Sequence, residues 1–287
     1  MTAATSERRQ MIESRVPWAL YAETPGISIT RLKEIAKSPL HYRYALTHPK
    51  ESPAMTLGTA VHAAVLEPER FDREWVQWGE VGDIPQRRGK AWDAFEDAAA
   101  ANGKQILRAD EYATVRTMQA AVRGHPTASK YLDSGEPEVT MQWIDGGVRC
   151  KGRVDWLTRI DGKPVLVGLK TARDHRPFIF GSQAAKLQYP SQWAHYRSGY
   201  EIITGTVAKL VEIVVENAPP HDVVVYTISA DVLLVGEEER QRMLDVLAKC
   251  AADDRWPGLA EDHEVELTLP SWVYAENDDI AGLELEV

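Results

Sequence analysis

Asp155 and Lys170 are the residues of this chain best placed to do chemistry. Asp155 lies in VRCKGRVDWLT and Lys170 ends PVLVGLK, with Asp161-Gly162 supplying a turn between the two segments. Side chains on a strand repeat every second residue, so positions 168 and 170 share a face. A carboxylate from one strand, with an acid two residues before a lysine on the next, would hold Mg2+ beside an activated water. The lysine would orient that water or offset charge growing on a scissile phosphate. Here the residue two before Lys170 is Gly168, which offers no side-chain ligand, so on these residues alone the set is incomplete. Asp155 reads equally as an acid that ends a strand, or that pairs with Arg153 or Lys170.

The surrounding elements follow from local pattern. Val139, Met141 and Trp143 alternate with Thr140 and Gln142 in EVTMQWID, which is strand periodicity. Asp145-Gly146-Gly147 supplies a hairpin turn into the strand carrying Asp155. PVLVGLK has the short apolar character of a strand at a sheet centre. A helix is expected over about 182–204, then the strands AKLVEIVVEN and DVVVYTIS with Pro219-Pro220 between them, and a long helix over about 230–252. Upstream, Ser28 is placed to cap a helix whose inner face carries Ile29, Leu32, Ile35 and Ala36, ended by Ser38-Pro39. LHYRYALTH forms a second helix. LGTAVHAAVL, over about 57–66, forms a buried one with His62 in its middle, and residues 85–133 form two or three more.

The order of these helices and strands gives a mixed α and β class with one principal core, and 287 residues, 44% of them hydrophobic and 26% charged, suit a folded globular protein. Residues 1–26 are expected to be a loose arm. Residues 27–260 form the domain, helical over 27–134 and sheet-based over 135–260, and 261–287 form an acidic tail. No apolar run is long enough to cross a membrane and the polar start lacks a secretory signal, so a cytoplasmic location is expected. Cys150 and Cys250 are isolated and read as buried thiols. The net charge of -10 excludes a generally basic nucleic-acid coat but not a DNA enzyme, because carboxylates hold cations while basic residues need only line the substrate path. Arg87, Arg88 and Lys90 form one such local cluster.

The ordered segments GISITRLKEIAKSPLHYR, LGTAVHAAVLEP, GEPEVTMQW, CKGRVDWL, VGLKTARD, QYPSQWAHYRSGY, VVENAPPHDVVVYTI and CAADDRWPGL resemble phage RecE-type exonucleases. These belong to the PD-(D/E)xK nuclease superfamily. The resemblance spans roughly residues 26–260. The GxxxH pattern from Gly58 to His62 and the QxxxY pattern from Gln192 to Tyr196 are similar to those of RecB-type nucleases. The fold implied is a restriction-endonuclease-like core, a central mixed sheet flanked by helices with a helical N-terminal part.

Carried over, the resemblance implies that His62 and Asp155 are metal ligands and that the carbonyl of Leu169 faces the metal. Glu138 is implied as a further carboxylate, Lys170 as the catalytic lysine, and Gln192 and Tyr196 as site residues one helical turn apart. Thr171 and Arg173 are candidate phosphate contacts, as are Arg87, Arg88 and Lys90. The implied cofactor is Mg2+ or Mn2+, two ions in an intact site. The implied reaction is hydrolysis of double-stranded DNA ends to leave single strands for homologous recombination, with a single-strand annealing recombinase as partner and a ring-shaped homo-oligomer as assembly.

The family carries Asp or Glu where this chain has Gly168, so the resemblance also implies a crippled site, slower by a thousandfold or more. Gly168→Asp is then expected to raise activity. The competing class is a catalytically inactive DNA-end binding accessory protein, separated from the first by metal-dependent digestion of linear DNA. A Cas4-like nuclease is a third class, disfavoured because two cysteines cannot supply a four-cysteine cluster.

Overall fold

The computed structural model describes residues 10–48, 53–80, 82 and 86–269. In chain order the elements are β1 (Met11–Glu13), α1 (Trp18–Glu23), α2 (Ile29–Leu32), α3 (Pro39–Thr47), α4 (Pro53–Leu66), α5 (Pro68–Glu74) and β2 (Trp75–Trp78). Then come α6 (Lys90–Ala101), β3 (Gln105–Arg108), α7 (Ala109–Gly124), α8 (Pro126–Leu132), β4 (Glu136–Asp145), β5 (Val148–Ile160) and β6 (Lys163–Ala172). The chain continues through α9 (Pro177–Lys186), α10 (Tyr189–Thr204), β7 (Lys209–Glu216), β8 (Val223–Thr227) and α11 (Ala230–Asp253).

Six strands form one sheet in the order β1-β4-β5-β6-β7-β8. The neighbours β4 to β6 are antiparallel hairpins, as their Gly-rich turns require. Between β6 and β7 the chain crosses over through α9 and α10, and the two strands run parallel. Side chains alternate between two core layers. Val165, Val167 and Leu169 of β6 pack with Val211, Ile213 and Val215 of β7 beneath α4 and α7. Leu166 and Leu210 point the other way, toward Trp193 and Tyr200 of α10 and Leu244 of α11. The expected mixed sheet between helices is therefore what the chain forms.

The structure corrects several local expectations. Residues 10–26 are no loose arm. β1 adds to the sheet beside β4, and the buried Lys151 donates from Nζ to the carbonyls of Tyr21, Ala22 and Thr24, so a cation meets the C-terminal end of α1. Residues 1–9 of the expected arm, and 270–287 of the expected tail, lie outside the described residues. Ile29, Leu32 and Ile35 are buried as expected, but Ala36 is exposed because the chain tightens into a 3-10 turn after Leu32. A period of three keeps 29, 32 and 35 aligned and turns 36 away. Ser28 takes the capping position without a side-chain hydrogen bond. The helix expected over 182–204 is two helices, broken at the left-handed Gln188, and the short parallel pair β2–β3 interrupts the helical section.

Candidate metal-binding site

The site forms where β5 and β6 part. Their ladder runs from Ile160 opposite Lys163 to Trp156 opposite Val167 and stops, leaving Asp155 at the opening. The Leu169 N–H donates to Asp155 Oδ2 at 2.8 Å, which fixes the carboxylate against β6. On the other side of Asp155, β4 is disturbed too. Glu138, flanked by the pairs Pro137–Trp156 and Val139–Val154, has a φ of +53, a left-handed conformation that costs a non-glycine residue about 1 kcal/mol or more. Val154 packs into the layer under α10, whereas Trp156, two residues on, packs into the opposite layer. A regular strand would keep both on one face, so the backbone turns over at Asp155.

His62 reaches this opening from α4, its Nδ1 3.7 Å from Asp155 Oδ1. One ligand atom each from His62, Glu138 and Asp155 lies within 4.8 Å of the others, a spacing that one divalent ion could bridge. Burial, opposed by the Asp155 charge, keeps the His62 imidazole below its ordinary pKa, hence neutral and able to bind a cation. Burial would raise the Asp155 pKa, but chiefly Lys170, with the Leu169 N–H, outweighs it and holds Asp155 ionised. The Leu169 carbonyl also faces this space, accepting from Lys170 Nζ at 3.4 Å. Glu138 is hydrogen-bonded and ion-paired to Arg153, whose guanidinium lies over the rings of Trp18 at 5.3 Å and Tyr21 at 5.6 Å. The N-terminal helix thus roofs the acid end of the site.

Lys170 projects from β6 between two carboxylates, 3.7 Å from Asp155 Oδ2 and 3.5 Å from Glu212 Oε1. Burial alone would lower its pKa, yet Glu212 and Asp155 together hold it above the ordinary lysine range, so it stays a cation. Glu212 is the residue that sequence reading missed. It is 1% exposed, sits opposite Gly168 in the β6–β7 ladder, and fills the space above that glycine. A Cβ built on Gly168 would lie 2.6 Å from Glu212 Oε2 and 2.7 Å from its carboxyl carbon. The available signal was one acid inside the otherwise apolar run LVEIVV, where a buried charge must have a partner or a task.

From the α10 side, Gln192 Nε2 donates to Tyr196 Oη at 3.1 Å, and both side chains border a cavity of about 10 Å3 with Asp155, Gly168, Lys170, Trp193 and Glu212. Gly152 lets the Tyr196 ring approach the sheet, since a Cβ there would lie 2.9 Å from Tyr196 Cδ1. Burial, with the nearby Asp155, pushes the Tyr196 hydroxyl up to about 12, so it remains a hydrogen-bond donor. Lys33 lies nearby, its Nζ donating to the Leu187 carbonyl at 2.8 Å. Its ammonium lies 5.5 Å over the Tyr189 ring, as Lys170 does at 5.6 Å, and burial together with the Lys170 charge brings its pKa down to about 8.

The structure therefore brings together His62, Glu138, Asp155, Leu169, Lys170, Gln192 and Tyr196. Thr171 follows on β6, half-buried, and Arg173 is exposed just past the strand. Arg87, Arg88 and Lys90 are exposed at the start of α6, with Arg87 held by Glu111 at 3.7 Å and the Trp92 ring at 5.5 Å. The partners of Arg87 lie on α6, α7 and β3 rather than in the site.

This arrangement can be set beside known proteins. The profile of a family described as a PDDEXK-like domain of unknown function (DUF3799) matches residues 28–267. No curated protein sequence matches the chain. Among solved structures, a candidate exonuclease from Eubacterium rectale superposes with a TM-score of 0.59 at 14% identity, covering 96% of this chain and 100% of that one. SSO0001 aligns with a TM-score of 0.27 and 18% identity over 75% of this chain and 85% of that one. VC1899 from Vibrio cholerae aligns with a TM-score of 0.26 and 12% identity over 85% and 58%. At these identities the likeness to the first structure is one of fold. With a profile covering most of its length and an acid and a lysine meeting at parting strands, the chain belongs to the PDDEXK-like domain family DUF3799.

Proposed function

We propose that this protein is a divalent-metal-dependent deoxyribonuclease acting as an exonuclease on double-stranded DNA ends. The observation that carries the reading is the convergence of His62, Glu138 and Asp155 around one ion-sized space, with Lys170 3.7 Å from Asp155. Two carboxylates, a neutral imidazole and the Leu169 carbonyl form a donor set that suits Mg2+ or Mn2+. Such an ion, when bound, supplies Lewis acidity toward a phosphate oxygen and acidifies a water.

The residues of the chain do the rest. Asp155, held ionised and oriented by the Leu169 N–H, faces the ion with a fixed oxygen. Lys170 remains protonated, so it acts as a positive charge beside the phosphate rather than as a base. Tyr196 and Gln192 offer donors from α10 to position a phosphate oxygen, and Thr171 and Arg173 extend donor chemistry along the exit of β6. The resemblance to RecE-type enzymes supports duplex ends as substrate. A recombination role, an annealing recombinase as partner, a ring-shaped homo-oligomer and a cytoplasmic setting rest on the sequence reading alone.

The test is digestion of end-labelled linear duplex and of covalently closed circular DNA, with Mg2+ or Mn2+ and with chelator. Metal-dependent loss of the linear substrate only, abolished in Asp155→Asn and Lys170→Met, is the expected result. Binding of ends without any digestion under all metals would instead identify a non-catalytic end-binding protein.

A further inference from the structure

We propose that Glu212 on β7 supplies the acidic ligand that this chain lacks at position 168, so that the carboxylate enters the site from the neighbouring strand. The inference rests on the nuclease reading above. Gly168 and Glu212 are direct partners in the parallel β6–β7 ladder, and paired residues of a parallel ladder project to the same face. Adjacent strands lie about 4.8 Å apart, a gap that the long side chain of a glutamate spans when it leans across the sheet. Here the carboxylate lies over Gly168, so close that a Cβ on residue 168 would fall 2.6 Å from Oε2. A side chain at 168 would meet the carboxylate end of Glu212, which would have to leave its present place to admit it.

The orientation of the carboxylate separates a ligand from a mere filler. Oε2 accepts a hydrogen bond from the indole N–H of Trp193, which fixes the group from behind. Oε1 is buried, has no hydrogen-bond partner, and lies 3.5 Å from Lys170 Nζ. It borders the small cavity shared with Asp155, Lys170, Gln192 and Tyr196, which has room for about one water. A buried carboxylate must be compensated, and here the Lys170 ammonium beside Oε1 and the Trp193 N–H on Oε2 do so, while Oε1 keeps room for a further partner. β7 is otherwise apolar at its centre, with Val211 and Ile213 on either side of Glu212. The same ammonium therefore faces Asp155 on one side at 3.7 Å and Glu212 on the other at 3.5 Å. On this basis the site is rebuilt, not crippled.

The test is Mn2+ binding to the full chain by titration calorimetry, with thermal melting as a fold control. Five proteins are compared: the parent, Glu212→Gln, Gly168→Asp, the swap Gly168→Asp with Glu212→Val, and Asp155→Asn. Glu212→Gln keeps the acceptor for Trp193 and is expected to weaken Mn2+ binding at least tenfold while melting near the parent. Gly168→Asp alone is expected to bring no gain, because its carboxylate collides with that of Glu212. The swap is expected to return affinity to within a few-fold of the parent. Unchanged affinity in Glu212→Gln, or a swap no better than Glu212→Gln, overturns the proposal. Should Glu212→Gln fail to fold, the swap and Glu212→Asp decide it by the same affinity criterion. If Asp155→Asn weakens binding and Glu212→Gln does not, only the role of Glu212 is lost. If neither does, or the parent binds no Mn2+, the metal-site reading itself fails.

Discussion

The carboxylate of Glu212 occupies the space in which the side chain of residue 168 would begin, 2.6 Å from the place of its Cβ. Both residues lie at the same level of the β6–β7 ladder, and Lys170, one residue along the same face, is 3.5 Å from that carboxylate. This relation changes what a substitution at 168 can report. Introducing an acid there is not a simple repair, because the space is already taken by an acid.

The steric part of this can be measured without DNA or metal. Gly168→Ala is expected to destabilise the fold by roughly 1–3 kcal/mol through overpacking. In a Glu212→Ala background the same change should cost less, with a coupling of at least about 0.5 kcal/mol in a double-mutant cycle. Additive penalties in denaturant titrations would show that the two side-chain spaces are independent.

Loss of Asp155 or Lys170 should act on the chemical step. Asp155→Asn and Lys170→Met are each expected to reduce single-turnover digestion of linear duplex by about a thousandfold or more. Since Glu212 and Asp155 hold Lys170 protonated above the ordinary lysine range, the rate should show no basic limb from this lysine up to about pH 10. A lysine limb appearing near pH 8 in the parent enzyme would count against its role as a fixed cation.

Glu138 sets stability against function. Its backbone is left-handed at φ +53, so Glu138→Gly should relieve about 1 kcal/mol of strain while removing the carboxylate beside His62 and Asp155. The expected outcome is a protein that binds Mn2+ and cleaves DNA more weakly and melts below the parent, because the relieved strain only partly offsets the loss of the Arg153 partner. Arg153→Met is expected to act from the other side of the pair, leaving a buried Glu138 unpaired at a cost of roughly 3 kcal/mol, read as a lower melting temperature.

His195 predicts an acid limb in stability. It is fully buried on α10, bonded through Nε2 to the Lys151 carbonyl at 3.1 Å, and burial brings its pKa down to about 3. Below the ordinary histidine value of about 6.5 the unfolded chain takes up a proton that the folded chain refuses. Stability is then lost as pH falls from about 6.5 toward about 3, by roughly 1.4 kcal/mol per pH unit. His195→Gln should flatten this limb in melts at pH 6 and pH 4. An unchanged slope would assign the limb to other groups.

Much of the site was legible in sequence because its signals are local. The alternation around Val139 and Trp143, the turns at Gly146-Gly147 and Asp161-Gly162, and the apolar run before Lys170 each act over a few residues, and together they place Asp155 and Lys170 on adjacent strands. A hairpin turn dictates which strand is next, so that pairing needed no distant information. The resemblance added His62, Gln192 and Tyr196, and the fold brings all three to the parting of β5 and β6.

What only the tertiary structure decided depends on contacts between distant parts of the chain. The register that sets Glu212 against Gly168 is made by a parallel crossover through α9 and α10, and no turn encodes it. The same holds for β1 and α1, whose short segments carry too little periodicity to be recognised and gain their order from β4, Lys151 and Arg153. By itself the sequence determined that a carboxylate and a lysine lie on neighbouring strands and that residue 168 brings no ligand of its own. Packing across the sheet decided that another acid already stood in its place.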